Sequence, residues 1–214
     1  MATMHKLVLA SQKGGVGKTT LALHLAVAAH NAGHGPVVLV DLDPQGSLSA
    51  AWNLRSEEQP AMARTSFEEL GETLVDLEKA GFKLVVIDTP PAITASIAGV
   101  LGVADLIVVP TRPSPIDLSS VGTTLDMIEG AGNRPFFFVI NAAKPKGRLT
   151  LQTLTALARH GRVAATVFDR VDFPTAMIDG RTAGEVTPKS KAAEEINELW
   201  AILAKKLFAK GAVA

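Results

Sequence analysis

Short apolar runs at 5–10, 36–41, 83–88, 105–110, 135–141 and 163–168 punctuate the chain. Between them apolar residues recur at helical spacing, which predicts helices over 18–32, 66–80, 92–102, 115–130 and 149–160, and a last one from about 189 to 209. The runs are continuous rather than alternating, the pattern of strands covered on both faces. Their alternation with helices predicts an α/β fold: a single doubly wound, mostly parallel sheet with helices on both faces. Gly33-His34-Gly35, Gly130-Ala131-Gly132 and His160-Gly161 supply helix stops. No internal repeat, low-complexity tract or linker interrupts the pattern. One domain over 1–214 is expected, with ligand loops at the carboxyl ends of the strands.

The first strand–helix junction carries Gln12-Lys13-Gly14-Gly15-Val16-Gly17-Lys18-Thr19-Thr20. Glycines let the backbone curl until successive N–H groups converge on phosphate oxygens, and the following helix adds its own free N–H groups. Strand, glycine loop and helix in this order define a P-loop rather than a flexible turn. Gly14 to Thr20 are therefore the expected phosphate cradle. Lys18 reaches the β and γ phosphates, and the Thr19 hydroxyl holds Mg²⁺.

Two later strands end in acids. The second runs into Asp41-Leu42-Asp43-Pro44-Gln45 and the third into Asp88-Thr89-Pro90-Pro91. An apolar run that closes on Asp, such as Asp88, is the Mg²⁺-side acid of P-loop NTPases. Asp43 beside Pro44 also fits a helix cap. The strand at 135–140 leads into Asn141-Ala142-Ala143-Lys144, which lacks the Asp of a guanine-reading Asn-Lys-x-Asp. Asn141 can bond the exocyclic amine of adenine or act as a turn residue. ATP is favoured over GTP. A second wall for the base is expected around Asp172-Phe173-Pro174.

The loop departs from G-x-x-x-x-G-K-[ST]: Gln12 replaces the first glycine, and a second lysine, Lys13, stands at the front. This K-G-G-x-G-K-T form, the deviant Walker A type, resembles the ParA/MinD family of ATPases. D-x-D-P-Q at Asp41–Gln45 is similar to that family's second signature, and Val109-Pro110-Thr111-Arg112-Pro113-Ser114-Pro115-Ile116-Asp117 resembles a segment of the small ParF-like plasmid-partition proteins. The resemblance extends to Met177-Ile178-Asp179-Gly180. It implies ATP and Mg²⁺ as ligands and an ATP-dependent homodimer in which Lys13 reaches the partner's phosphates. Lys13, Lys18 and Asp43 are then catalytic, Asp43 positioning the attacking water. Asp41 supports the metal beside Thr19 and Asp88, Thr89-Pro90-Pro91 is the γ-phosphate switch, and Arg112 borders the interface. Family members bind DNA without sequence preference, which points to Arg170 and, more loosely, to Lys189 and Lys191. A ParB/ParG-like centromere-binding protein or a cargo adaptor is the implied partner that stimulates hydrolysis.

Composition narrows the choice. With 21 basic and 21 acidic residues the net charge is zero, so binding to nucleic acid must come from a local patch. Residues 41–130 carry fourteen acids against five bases, whereas 141–191 carry nine bases against four acids. That basic third is either a phosphate-tracking stripe or the ordinary solvated face of surface helices. The absence of Cys excludes the iron–sulfur relatives of this superfamily, and the absence of Tyr argues against its tyrosine-kinase relatives. The P-loop begins at residue 12, so no separate N-terminal DNA-binding domain and no signal peptide are expected. The expected location is the cytoplasm, on the nucleoid when ATP is bound. The last helix carries Ile196, Leu199, Trp200, Leu203 and Leu207 on one face and Lys205, Lys206 and Lys210 near its end. It reads as a helix packed on the sheet in preference to a MinD-like membrane anchor. Two rival functions are the positioning of a protein cargo, such as a chemoreceptor cluster, and a MinD-like membrane-bound regulator.

Overall fold

A computed structural model describes residues 3–91 and 94–209. Its strands are β1 (His5–Leu9), β2 (Val37–Asp41), β3 (Ala61–Ala63), β4 (Leu84–Asp88), β5 (Leu106–Thr111), β6 (Phe136–Ala143) and β7 (Val163–Phe168). All seven join one sheet in the order β3-β2-β4-β1-β5-β6-β7, and every pairing is parallel. The long helices are α1 (Lys18–Asn31), α3 (Leu70–Lys79), α4 (Ala95–Val103), α6 (Val121–Gly130), α7 (Arg148–Leu157) and α10 (Lys191–Leu207). Shorter ones are α2 (Ser47–Asn53), α5 (Pro115–Ser119), α8 (Asp172–Ala176) and α9 (Ala183–Val186), with a 3₁₀ turn at Met177–Asp179.

Strand residues alternate between two apolar cores. Leu7, Leu9, Leu39, Val86 and Val108 face α1 and α10. Val8, Val40, Ile87, Ile107 and Ile140 face a layer that includes Leu74 of α3, Ile97 of α4, Ile128 of α6 and Leu157 of α7. This double burial explains the continuous apolar runs. In α10, Ile196, Leu199, Trp200, Leu203 and Leu207 are all buried in the first core, so the apolar stripe is committed to packing. Among the described residues no helix is long and apolar enough to cross a membrane.

The structure differs from the sequence expectations in several elements. The single helix expected over 115–130 is two, α5 and α6, meeting at Ser120. The strand β3 and the helices α2, α8 and α9 are additional. The last helix spans Lys191–Leu207 rather than 189–209. The helix expected from residue 92 is described from Ala95, where Thr94 accepts a bond from Ile97 N. Ala92, Ile93 and Lys210 lie outside the described residues.

Parallel register sets up the site. Asp41 pairs with Asp88, and Leu9 also pairs with Asp88, so β2, β4 and β1 end level with one another. Their three following loops emerge side by side. On the other side of β1, strands β5, β6 and β7 end at Thr111, Ala143 and Phe168 and bring a second group of loops to the same edge of the sheet.

Candidate nucleotide site

The loop from Gln12 to Gly17 leads directly into α1. Gly15 and Gly17 adopt φ of 73° and 93°, which residues with a Cβ rarely tolerate. A Cβ on Gly17 would also collide with the side-chain amide of Asn141. Lys18 is buried, and its ammonium donates to Ser11 O and Lys13 O, each at 3.4 Å. Burial lowers its pKa, opposed by the carboxylates of Asp88 and Asp43. A lysine ammonium held inside the loop, with two carboxylates nearby, is an electrostatic ligand suited to phosphate.

Thr19 donates its hydroxyl to Asp88 Oδ2 at 2.6 Å. Asp88 is fully buried, and its other oxygen, Oδ1, has no hydrogen-bond partner. Burial pushes its pKa up to about 7; the Thr19 bond and Lys18 oppose this, while Asp41 and Asp43 reinforce it. A buried carboxylate with one orphaned oxygen beside a threonine hydroxyl is an all-oxygen donor set, which suits a hard divalent cation such as Mg²⁺. Asp41 is engaged differently. Its Oδ1 accepts from Asp43 N at 3.1 Å and its Oδ2 from Ser49 N at 2.8 Å, so it shapes the loop that carries Asp43 and ties that loop to α2. Asp43 accepts from Gln45 N at 3.0 Å and lies near enough to influence both Lys18 and Asp88. Lys13 is half-buried at the front of the loop. Thr89 donates to Leu9 O at 2.8 Å and joins the start of its own loop to β1.

On the other side of β1 lies a cavity of about 220 Å³ lined by Gly17, Asn141, Phe173, Pro174, Arg112 and Arg170, among others. The structure thus brings the three residues expected at the base, Asn141, Phe173 and Pro174, to the P-loop. Asn141 Nδ2 donates to Val16 O at 2.7 Å. Its aim comes from an irregularity in β6: the register with β7 shifts between Ile140 and Ala143, and Ala142 takes a left-handed φ of 51°. Such bulges redirect side chains at the ends of strands.

Arg112, expected at a subunit interface, stands on the wall of this cavity and also lines an adjoining cleft with Lys144 and Arg148. Sequence spacing gave no sign of that position. Ser114 Oγ accepts from Asp117 N at 3.1 Å and caps α5, as the Ser-Pro pair suggests. Arg170 is paired with Glu195 of α10, with Nε at 2.9 Å and Nη2 at 2.5 Å from the same oxygen. Lys191 starts that helix one turn before Glu195, and both Lys189 and Lys191 are exposed. The expected DNA-contacting residues therefore gather where α10 begins.

A glycine loop at the central strand of a parallel sheet, with Thr19 bonded to the buried Asp88 on one side and a cavity on the other, is the arrangement of a P-loop NTPase. The family model described as the CobQ/CobB/MinD/ParA nucleotide binding domain matches residues 7–183. The maintenance of carboxysome distribution protein A of Halothiobacillus neapolitanus is 30% identical over 203 residues, covering 90% of this chain and 93% of that protein. The chromosome-partitioning ATPase Soj of Thermus thermophilus is 28% identical over 236 residues, covering 92% and 94% respectively. The fold is also that of the septum site-determining protein MinD of Pyrococcus horikoshii, solved with Mg-ADP, at a TM-score of 0.76 and 16% identity over 99% of this chain and 100% of that one. The chain belongs to the CobQ/CobB/MinD/ParA family. It is a deviant P-loop ATPase of the ParA partition and positioning kind.

Proposed function

We propose that this ATPase closes into a homodimer on ATP and rides on DNA without sequence preference. In this reading hydrolysis releases the dimer, and a partner protein that marks the cargo stimulates it. The observation that carries the reading is the convergence of Lys13, Lys18, Thr19 and Asp88 at the phosphate end with Asn141, Phe173 and Pro174 at the base end. Asp43 orients the attacking water. Lys18, and Lys13 reaching across the dimer, stabilise charge that develops on the transferred phosphoryl group. Thr19 and Asp88 would hold Mg²⁺, which would supply positive charge to offset the negative charge developing on the phosphates. Asp41 serves the same loop by fixing its backbone. Arg170, Lys189 and Lys191 face the DNA backbone.

The cargo in the first reading is a plasmid or chromosome carrying a centromere-binding partner. The second reading, a protein cargo with its own adaptor, is favoured by the relative named for carboxysome distribution, which this chain matches over nearly its whole length.

The test is binding to random-sequence duplex DNA with ADP, ATP and a slowly hydrolysed ATP analogue, across a salt series. Binding only with the triphosphates, weakening steeply with salt as phosphate contacts demand, is the expected result. The double substitution Lys189→Glu, Lys191→Glu should abolish it without loss of ATP binding. Equal binding in all nucleotide states, or none in any, overturns the DNA-riding reading.

A further inference from the structure

A buried ion pair outside the nucleotide site is the feature the proposed chemistry leaves unexplained. Arg55 lies just past α2, with its side chain 1% exposed, and pairs with Glu185 of α9, whose side chain is 19% exposed. Its Nη1 donates to Glu185 Oε2 at 3.0 Å and to Gly180 O at 2.8 Å. Its Nη2 donates to Glu185 Oε1 at 2.7 Å and to Gln59 O at 2.9 Å. The Nε atom is buried with no partner. Desolvating such a pair is costly, and apolar residues of similar volume often stabilise a fold as well or better. Stability alone is a weak reason for it.

Its position supplies a better one. At one end, α2 is tied to the Asp43 loop: Asp41 accepts from Ser49 N at 2.8 Å, and Gly46 N donates to Asp43 O at 2.8 Å. At the other end, Glu185 accepts from Thr182 N at 2.7 Å, and the adjacent Ala183 N donates to His24 Nε2 at 3.1 Å. The His24 ring stands edge-on to Phe173, 5.1 Å between centroids, and Phe173 lines the base cavity. Gly180, at φ 76°, packs so closely that a Cβ there would strike Ala51 O and Arg55. The contacts run without a gap from the base wall to the loop bearing Asp43.

We infer that Arg55 is a positioning residue: through Glu185 it couples filling of the base cavity to the placement of the Asp43 loop. A base in the cavity sets the α8–α9 segment, the guanidinium fork carries that setting to α2, and α2 carries it to Asp43. Arginine suits the task because its planar fork holds the carboxylate and two backbone carbonyls at once. The inference rests on the reading that Asp43 orients water, and its test separates the two.

Trp52 lies on α2 and donates to Pro60 O at 2.8 Å, so its emission reports the helix's surroundings. Of the two tryptophans, Trp200 can be removed as Trp200→Phe. In that background, ADP should shift Trp52 emission and pyrophosphate, which fills only the phosphate end, should not. Glu185→Gln and Arg55→Lys should each lose most of the ADP-induced shift at saturating ADP while still unfolding cooperatively. Both should also lower kcat for ATP by about tenfold with KM nearly unchanged, and leave hydrolysis of inorganic tripolyphosphate at its parent rate. A full ADP-induced shift in both variants, or an equal fall with ATP and tripolyphosphate, overturns the coupling and leaves a merely structural pair. Should Glu185→Gln not fold, Arg55→Lys alone decides the question. Asp43→Asn should lose hydrolysis yet keep the emission response. If it hydrolyses ATP normally, the assignment of Asp43 fails while the emission result stands on its own.

Discussion

Two glycines of the P-loop share a left-handed backbone but not a neighbourhood. Gly15 has open space where a Cβ would go, whereas Gly17 faces the Asn141 amide. Gly15→Ala should therefore cost only backbone strain, on the order of 1 kcal/mol. Gly17→Ala adds a collision that displaces Asn141 from the base cavity and should weaken ADP binding by about tenfold or more, roughly 1.4 kcal/mol. Calorimetric titration of both variants with ADP checks the contrast; equal losses would detach Asn141 from the base. His24 gives a second prediction at this scale. It accepts from Ala183 N and its other nitrogen lies 2.8 Å from Thr20 O, which requires the neutral ring with the proton on Nδ1. Burial lowers its pKa to about 4 from 6.5, a shift that the Thr20 bond and Glu185 oppose and Arg55 assists. Because the unfolded chain binds the proton more readily, the neutral histidine's contribution is complete above about 6.5 and is lost as pH falls toward 4, roughly 3 kcal/mol in all. Urea unfolding between pH 4 and 7 should show a shallower acid loss in His24→Gln than in the parent. Parallel curves would mean that His24 does not titrate in this window.

Among the elements, α10 separates core from surface along a single helix. Leu203 is fully buried against the sheet, while Lys205 and Lys206 are exposed. Leu203→Ala should cost about 2–5 kcal/mol and Lys206→Gln less than about 0.5 in chemical denaturation. A small effect of Leu203→Ala would reopen the membrane reading of this helix. What could be read in advance follows the same division. The six long strands were legible because burial on both faces leaves continuous apolar runs, and α10 because burial of one face leaves a helical period. The strand β3 was not: it is three residues long and bonds only to β2. Helix α2 follows Gly46, which caps it at φ 64° with no side-chain bond, and it buries only Leu48 and Ala51. Helices α8 and α9 are too short for a period to show. The placement of the proposed site residues followed a similar rule. That the glycine loop and the acidic strand ends would come to one edge of the sheet was legible from spacing, and that Phe173 and Pro174 would line the cavity beside it from the loop that follows β7. Arg55 and Glu185 meet 130 positions apart and left no local mark.

For the whole molecule, the proposed reading divides the nucleotide's two ends between the halves of the sheet, the phosphates at the ends of β2, β4 and β1 and the base at those of β5, β6 and β7. The charge asymmetry of the sequence follows that division only in part: the acidic segment supplies the end of β2 and all of β4 but runs on through β5 to α6, and the basic segment begins at the end of β6 and reaches the start of α10. The Arg170–Glu195 pair at that start bears on how DNA binding would be measured. If Arg170 meets a DNA strand as proposed, it does so already paired with Glu195, so the couple would bring almost no net charge to the phosphates and displace few of the cations condensed on the DNA. A count of contacts taken from the salt slope would miss this arginine even while it touches the backbone. Glu195→Gln should expose the hidden charge, steepening the slope of log K against log salt by about one and tightening binding at low salt. An unchanged slope would place Arg170 away from the DNA. In the intact protein the glutamate acts as an internal counterion, one that neither dialysis nor added salt can remove.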